Sequence, residues 1–275
     1  MIFFMARQMG PFFFVGAYNG MVGYKVGDKY FFRCIPDHVT QTTATKKAAE
    51  DFSAASSCGK LVRQALHQAM DLKQEHQLTN RLNKVMAKVI RRDTARQAGS
   101  RLVLPEHLDV LKNFSFNSET KLDNVLLGIE ADIEQSALIT ISIPTVAKIK
   151  RTRRTTHVEI KAIAISANFA RGTCKQTCSE AIMVDVSQPW KALELTMPRP
   201  GKDATLVILQ VRAFELVNGG MSVFSDKNYF AADIIAVMPP QPVVKVKPNN
   251  KPFLKKIPSY KEHYNGTRAI LQKRE

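Results

Sequence analysis

The sequence predicts an α+β fold: an N-terminal β-hairpin and an αα-hairpin, then an antiparallel β-sandwich (Ig-like or jelly-roll-like), and a disordered C-terminal tail. Three observations predict it. Glycines 10, 16, 20, 23 and 27 are interleaved with Phe12, Phe13, Phe14, Val15, Tyr18, Val22 and Tyr24, a pattern of bent hairpins. Residues 42–96 carry apolar side chains at spacings of three and four. From about residue 113, short alternating runs are separated by turns, with no helical stretches between them. A parallel α/β sheet is therefore disfavoured. The expected divisions are residues 1–112, 113–238 and 239–275.

Within the first region, Val26-Gly27-Asp28-Lys29 places a two-residue turn between strands Val22–Val26 and Lys29–Cys34. The glycines do not form a phosphate loop. The one Gly-Lys pair, Gly59-Lys60, runs into Leu61, where a phosphate loop needs Ser or Thr, and the dinucleotide-binding spacing is absent. Thr42, Thr43 or Thr45 can cap a first helix through Phe52, Ala55, Gly59, Val62, Leu66 and Ala69. Asp71 and Lys73 mark a break. Leu78, Leu82, Val85, Met86, Val89 and Ile90 then form the stripe of a second helix. Pro105 at a first helical position starts a short helix through Leu111.

In the second region, Phe114, Phe116, Leu122 and Leu126 fit short strands. Further strands fall at Ala137–Ile143, around Val158–Ala164, at Ile182–Val186, at Leu193–Leu195, at Thr205–Leu216, at Met221–Phe224 and at Ala231–Val237. Asn218-Gly219-Gly220 is a hairpin turn. From Pro239, six prolines recur among lysines, a composition that cannot bury enough apolar surface to fold. Phe253, Tyr260 and Tyr264 stand among those lysines and suit single-strand stacking, against the plainer reading of a solubilising tail.

Several of these motifs carry a resemblance. Ala6-Arg7-Gln8 before a glycine, Gly16-x3-Gly20 and Tyr24-Lys25 before a short hairpin resemble an uncharacterised family of basic bacterial proteins of Bacteroidetes-type genomes. Gly59-Lys60-Leu61-Val62-Arg63, the helix to Arg92-Asp93, and Val217-Asn218-Gly219 through Asn228-Tyr229 to Val237 are similar too. The likeness covers residues 5–238 and implies the order hairpin, helix pair, β-domain. It implies no active site, and the Lys/Pro tail departs from it.

The net charge of +16 over 275 residues predicts attraction to polyanions or acidic partners. Two basic clusters stand out. Arg81, Lys84, Lys88, Arg91 and Arg92 share one face of the second helix. Lys148, Lys150, Arg151, Arg153 and Arg154 lie in a loop between strands. Either cluster suits an anion or nucleic acid; the plain alternatives are a solvated helix face and an ordinary basic loop. Cys174-x3-Cys178 supplies one pair where zinc sites need two, so Cys34, Cys58, Cys174 and Cys178 read as incidental thiols. No catalytic set, metal or cofactor is expected: the six histidines are scattered, and no nucleophile elbow or metalloprotease helix occurs. Asn113-Phe114-Ser115 and Asn265-Gly266-Thr267 match glycosylation sequons but are read as chance. No segment has the ~18 apolar residues of a membrane span, the start Met1-Ile2-Phe3-Phe4 lacks a basic leader, and Met5 is an alternative start. The expectation is a cytoplasmic, non-catalytic structural or protein-interaction protein with a protein partner or self-association. The alternative is a nucleic-acid-binding accessory protein.

Overall fold

The computed structural model describes residues 5–36, 40–70, 77–135, 138–224 and 226–242. The break expected at Asp71 and Lys73, Ala137, and the tail from 243 lie outside the described residues. The fold is α+β with an antiparallel β-region.

The chain opens with strands β1 (Met5–Arg7), β2 (Gly16–Tyr18), β3 (Met21–Val26) and β4 (Lys29–Cys34), paired antiparallel in the order β1-β4-β3-β2. The expected turn closes β3 on β4 with Val26 opposite Lys29, and Gly27 takes the left-handed φ of 58° that the turn requires. Helix α1 (Thr43–Ala69) follows, with the Thr42 hydroxyl accepting the Thr45 amide as its cap. Helix α2 (Leu78–Arg91) crosses it at Gly59, where an added Cβ would sit 2.8 Å from Asn83 Oδ1. Gly59 thus permits the close approach, and buried Asn83 donates to Ser56 Oγ across the crossing. A 3₁₀ helix at Pro105–Leu111 begins with the proline, as the missing amide predicts.

The β-region contains a short helix α3 (Leu122–Val125) and strands β5 (Leu126–Leu127), β6 (Asp132–Gln135), β7 (Leu138–Ile143), β8 (Lys148–Ile149), β9 (His157–Asn168), β10 (Thr173–Cys178), β11 (Ile182–Asp185), β12 (Leu193–Pro198), β13 (Ala204–Val217), β14 (Gly220–Val223) and β15 (Phe230–Met238). Six form one sheet: β10, β9, β13 and β14 in order, with β11 also on β9 and β15 also on β13. A second sheet runs β12-β7-β6, and β5 pairs with β8.

The long strands β9 and β13 bury both faces. Ile163, Ile165, Leu206 and Ile208 share a core with Leu66, Leu82, Met86 and Phe116. Ile160, Ala162, Val207 and Leu209 share the other with Ile139, Ile141, Ile143 and Leu195. The β7 and β12 side chains therefore cover the large sheet on one side and the helices cover it on the other, giving three layers. A bulge keeps this two-sided pattern on β15: Val207 pairs with Ala236 but Ile208 with Ile234, so Ile235 is the extra residue. The helix pair and the sheet share one core, in which Leu66, Leu82 and Met86 meet Ile163, Leu206 and Ile208.

Two local expectations are corrected. Leu122 lies in a helical turn and not a strand, because Asp233 Oδ2 accepts the Leu122 amide at 2.9 Å and starts α3. Phe114 and Phe116 lie outside the named strands, flanking a single bridge from Ser115 to Asp233. Asn113, with φ of 65°, and the Asn117 side chain, which donates to Lys227 O and Phe230 O, turn the chain away at either end.

Candidate interaction surfaces

The N-terminal sheet organises its aromatic residues through one polar side chain. Buried Gln8 donates from Nε2 to Phe14 O and Phe31 O at 3.0 and 2.8 Å, and accepts the Phe14 amide at 2.9 Å. This fixes the segment between β1 and β2 against the sheet. Phe13 stacks on Tyr30 with centroids 4.7 Å apart, and Phe14 fills the space above Gly23. What stays most exposed along this segment, its apolar ridge, is Met9, Phe12 (90 % exposed), Val15 and Tyr18 (73 % exposed), with Phe13 half exposed between them in sequence. None of these side chains belongs to either core. The glycine and aromatic alternation revealed the strands, but not which rings would stay in water, because that depends on Gln8.

The basic face of α2 is divided by its neighbours. Lys84, Lys88 and Arg91 are exposed. Arg81 instead donates to Ser115 O, with its guanidinium carbon 5.5 Å from the Phe114 ring centre. Arg92 grips both oxygens of Asp109 at 2.7 and 2.8 Å, and this arginine holds the Asp109 carboxyl below its ordinary range. Arg91 lines a cavity of about 250 Å³ with Lys47, Asp51, Phe52 and Arg101. Asp51 accepts the Gly99 and Arg101 amides there. The five cations that share a helical face in sequence thus have three different environments.

The second basic run is held against aromatic side chains that its sequence gave no hint of. Lys148 and Ile149 form β8, and the Lys150 amide donates to Val125 O at 2.8 Å. The turn after it is fixed by Thr152 and Thr155, whose hydroxyls accept the amides of residues 152, 154 and 155. Arg151 donates to Val186 O at 2.6 Å, and Arg154 pairs with Glu215 at 2.7 Å. Lys150 Nζ lies 5.4 Å from the Tyr229 ring centre, and the Arg154 guanidinium carbon lies 6.0 Å from that of Phe224. The two rings meet at 5.7 Å. The result is a continuous array, Arg154–Phe224–Tyr229–Lys150, and Lys148 and Arg153 of the same run are exposed. Phe224 and Tyr229 are far away in sequence from this loop; the β13–β14 hairpin and the Phe224 amide bond to Ala213 O bring them there.

The buried acids serve the backbone. Asp93 accepts the Leu102 amide at 3.0 Å and Arg96 Nη1 at 2.8 Å; the amide foremost, then the arginine, hold its carboxyl below the usual range. Burial pushes the Asp233 carboxyl above its usual range, against the Leu122 amide bond. Burial also pushes the Cys58 thiol up to about 11, so it packs as a neutral side chain against α2 and the sheet. Among the described residues no three His, Cys, Asp or Glu side chains gather as a metal site, and no helix is long and apolar enough to cross a membrane. No family model, curated protein or solved structure matches the chain. The resemblance to the basic bacterial family rests on the residues quoted for it.

Proposed function

We propose that this protein is a non-catalytic interaction protein that docks an acidic protein partner on the apolar ridge of its N-terminal sheet. The observation that carries this reading is the exposure of Met9, Phe12, Val15 and Tyr18 together, outside both cores. Contiguous exposed apolar surface marks binding sites in soluble proteins, and aromatic anchors dominate their energetics. Lys25 shares the ridge's face of the sheet with Gly23 and Tyr30, and Arg7, Lys29 and Arg33 share the opposite face with Tyr24 and Phe31. Together with the net charge of +16, these cations favour an acidic partner over a second copy, which would repel. The roles of Asp51, Asp93 and Asp233 as acceptors for backbone amides support a structural and not a catalytic assignment for the buried carboxylates.

The test is affinity capture from nuclease-treated native lysate with the wild-type chain and a Phe12→Ser/Tyr18→Ser variant. Protein partners captured by the wild type should be lost from the variant. Equal capture by both would remove the ridge from the reading.

A second reading, a nucleic-acid-binding accessory protein, is favoured by the cation and ring array around Tyr229. The α2 face supports it less, since Arg81 and Arg92 are engaged by Ser115 and Asp109.

A further inference from the structure

We infer that the array Arg154–Phe224–Tyr229–Lys150, with Lys148 and Arg153 of the same run, is a binding site for single-stranded nucleic acid; this deepens the second reading above by naming the site and the ligand class. A single strand offers two chemistries in alternation, a flat base and a phosphate. The array presents a complement to each, two rings between two cations. Phe224 and Tyr229 touch one another at 5.7 Å and are half-buried, so their rings are already held in place before a ligand arrives. A cation stands over each ring, Lys150 at 5.4 Å and Arg154 at 6.0 Å. Base stacking on such rings is sequence-tolerant, because every base has a flat face, and arginine planes add to it.

Position in the fold supports the assignment. The Thr152 and Thr155 hydroxyls fix the loop's backbone, and Arg151 is tied to Val186 O. The loop's backbone is therefore preorganised, which lowers the ordering cost of binding. Lys148 and Arg153 of the same run are exposed and free to meet phosphates. Arg154 pairs with Glu215, which orients the guanidinium over Phe224. A duplex keeps its bases stacked inside and can use the cations but not the rings. This is the physical ground for a single-strand preference.

The experiment is fluorescence anisotropy of the full chain with a labelled oligothymidylate and with a duplex of the same length, across a salt series. Phe224→Leu/Tyr229→Leu keeps apolar volume and removes the rings, and its melting temperature is measured alongside so that folding is not the cause. It should weaken single-strand binding by roughly five- to 150-fold for each base that loses its ring, and leave duplex binding unchanged. Lys148→Gln/Arg153→Gln should flatten the log–log salt slope by about 1.4 if each cation neutralises one phosphate of a single strand. Binding of single strand and duplex alike, insensitive to the ring variant, would overturn the site while leaving nucleic-acid binding standing. Absence of any binding at low salt would overturn both.

Discussion

The N-terminal sheet and the large central sheet use the same residue types to opposite ends. Strands β9 and β13 are apolar on both faces, and both faces are covered, by α1 and α2 on one side and by β7 and β12 on the other. In the N-terminal sheet, Phe13 and Phe14 cover part of one face while Phe12, Val15 and Tyr18 remain in water. The difference is one of length and partners. The β9–β13 pairing spans eleven consecutive residue pairs, from Ala204 opposite Ala167 to Phe214 opposite His157. Strands β1 and β2 have three residues each, too few to build a core, and a polar side chain, Gln8, does the fixing instead. Apolar surface in the central sheet stabilises the fold; in the N-terminal sheet it is left for something else.

The largest expected effect tests the central half of this comparison. Phe116 is fully buried, packs edge-on against Phe114 at 5.2 Å, and sits among residues of α1, α2 and the sheet. Phe116→Ala should lower unfolding stability by about 3–5 kcal/mol, the range for truncating a buried phenylalanine. Urea denaturation measures it. A loss of under about 1 kcal/mol, which is typical of surface substitutions and not of cavities, would mean that the helix layer and the sheet do not share a core.

A smaller and more local loss is expected at Gly23. A Cβ there would strike the Phe14 carbonyl and come within 2.7 Å of the Phe14 ring. Gly23→Ala should unseat the segment between β1 and β2 at about 1–3 kcal/mol, the usual cost of overpacking. Hydrogen exchange should show the Phe14 amide, bonded to Gln8, losing protection while β9 and β13 keep theirs. Loss of protection in β13 would show that the N-terminal sheet supports the central one.

Two buried carboxylates divide stability by pH with opposite signs. Asp93 is held below the ordinary carboxylate value, so its contribution is present above that value and lost as pH falls through its folded pKa. Asp233 is pushed up by burial, so its contribution is present below the ordinary value and lost as pH rises through its folded pKa. Asp93→Asn should therefore cost more stability at neutral pH than well below the ordinary aspartate value of about 3.9. Asp233→Asn keeps an acceptor for the Leu122 amide and should gain on the wild type as pH rises above that ordinary value. Urea midpoints at the two pH values decide it. Parallel behaviour of the two variants would sink the assignment of opposite shifts.

The elements that were legible in the sequence are those whose signal is local. The Gly27-Asp28 turn, the Thr42 cap, Pro105 at its helix start and the alternation of β13 all depend on residues a few positions apart. The errors lie where a distant group decides. Leu122 looked like a strand residue until Asp233 supplied its helix cap, and Arg92 looked like a free cation until the 3₁₀ helix brought Asp109 to it. The candidate sites show the same division. The run from Lys148 to Arg154 was visible as charge, but Phe224 and Tyr229 reach it only through the β13–β14 hairpin. The spacing of cations along one helix face could not show that Arg81 turns to Ser115.

The smallest expected effect on stability is the one that separates the two sheets most clearly. Phe12 is a phenylalanine like Phe116, but it is 90 % exposed. Its ring is already in water in the folded state, so replacing it removes almost no burial. Phe12→Ser should move the urea midpoint by an amount equivalent to no more than about 0.5 kcal/mol, as for surface positions without special features. Adding Tyr18→Ser, another exposed residue, should change little more, because neither side chain belongs to a core. Yet the same pair of substitutions is the one expected to abolish capture of the acidic partner. A stability loss near that of Phe116→Ala would place the ridge side chains inside a core and end the comparison. Unchanged stability with partner capture lost would fix the ridge as surface that acts only when a second molecule covers it.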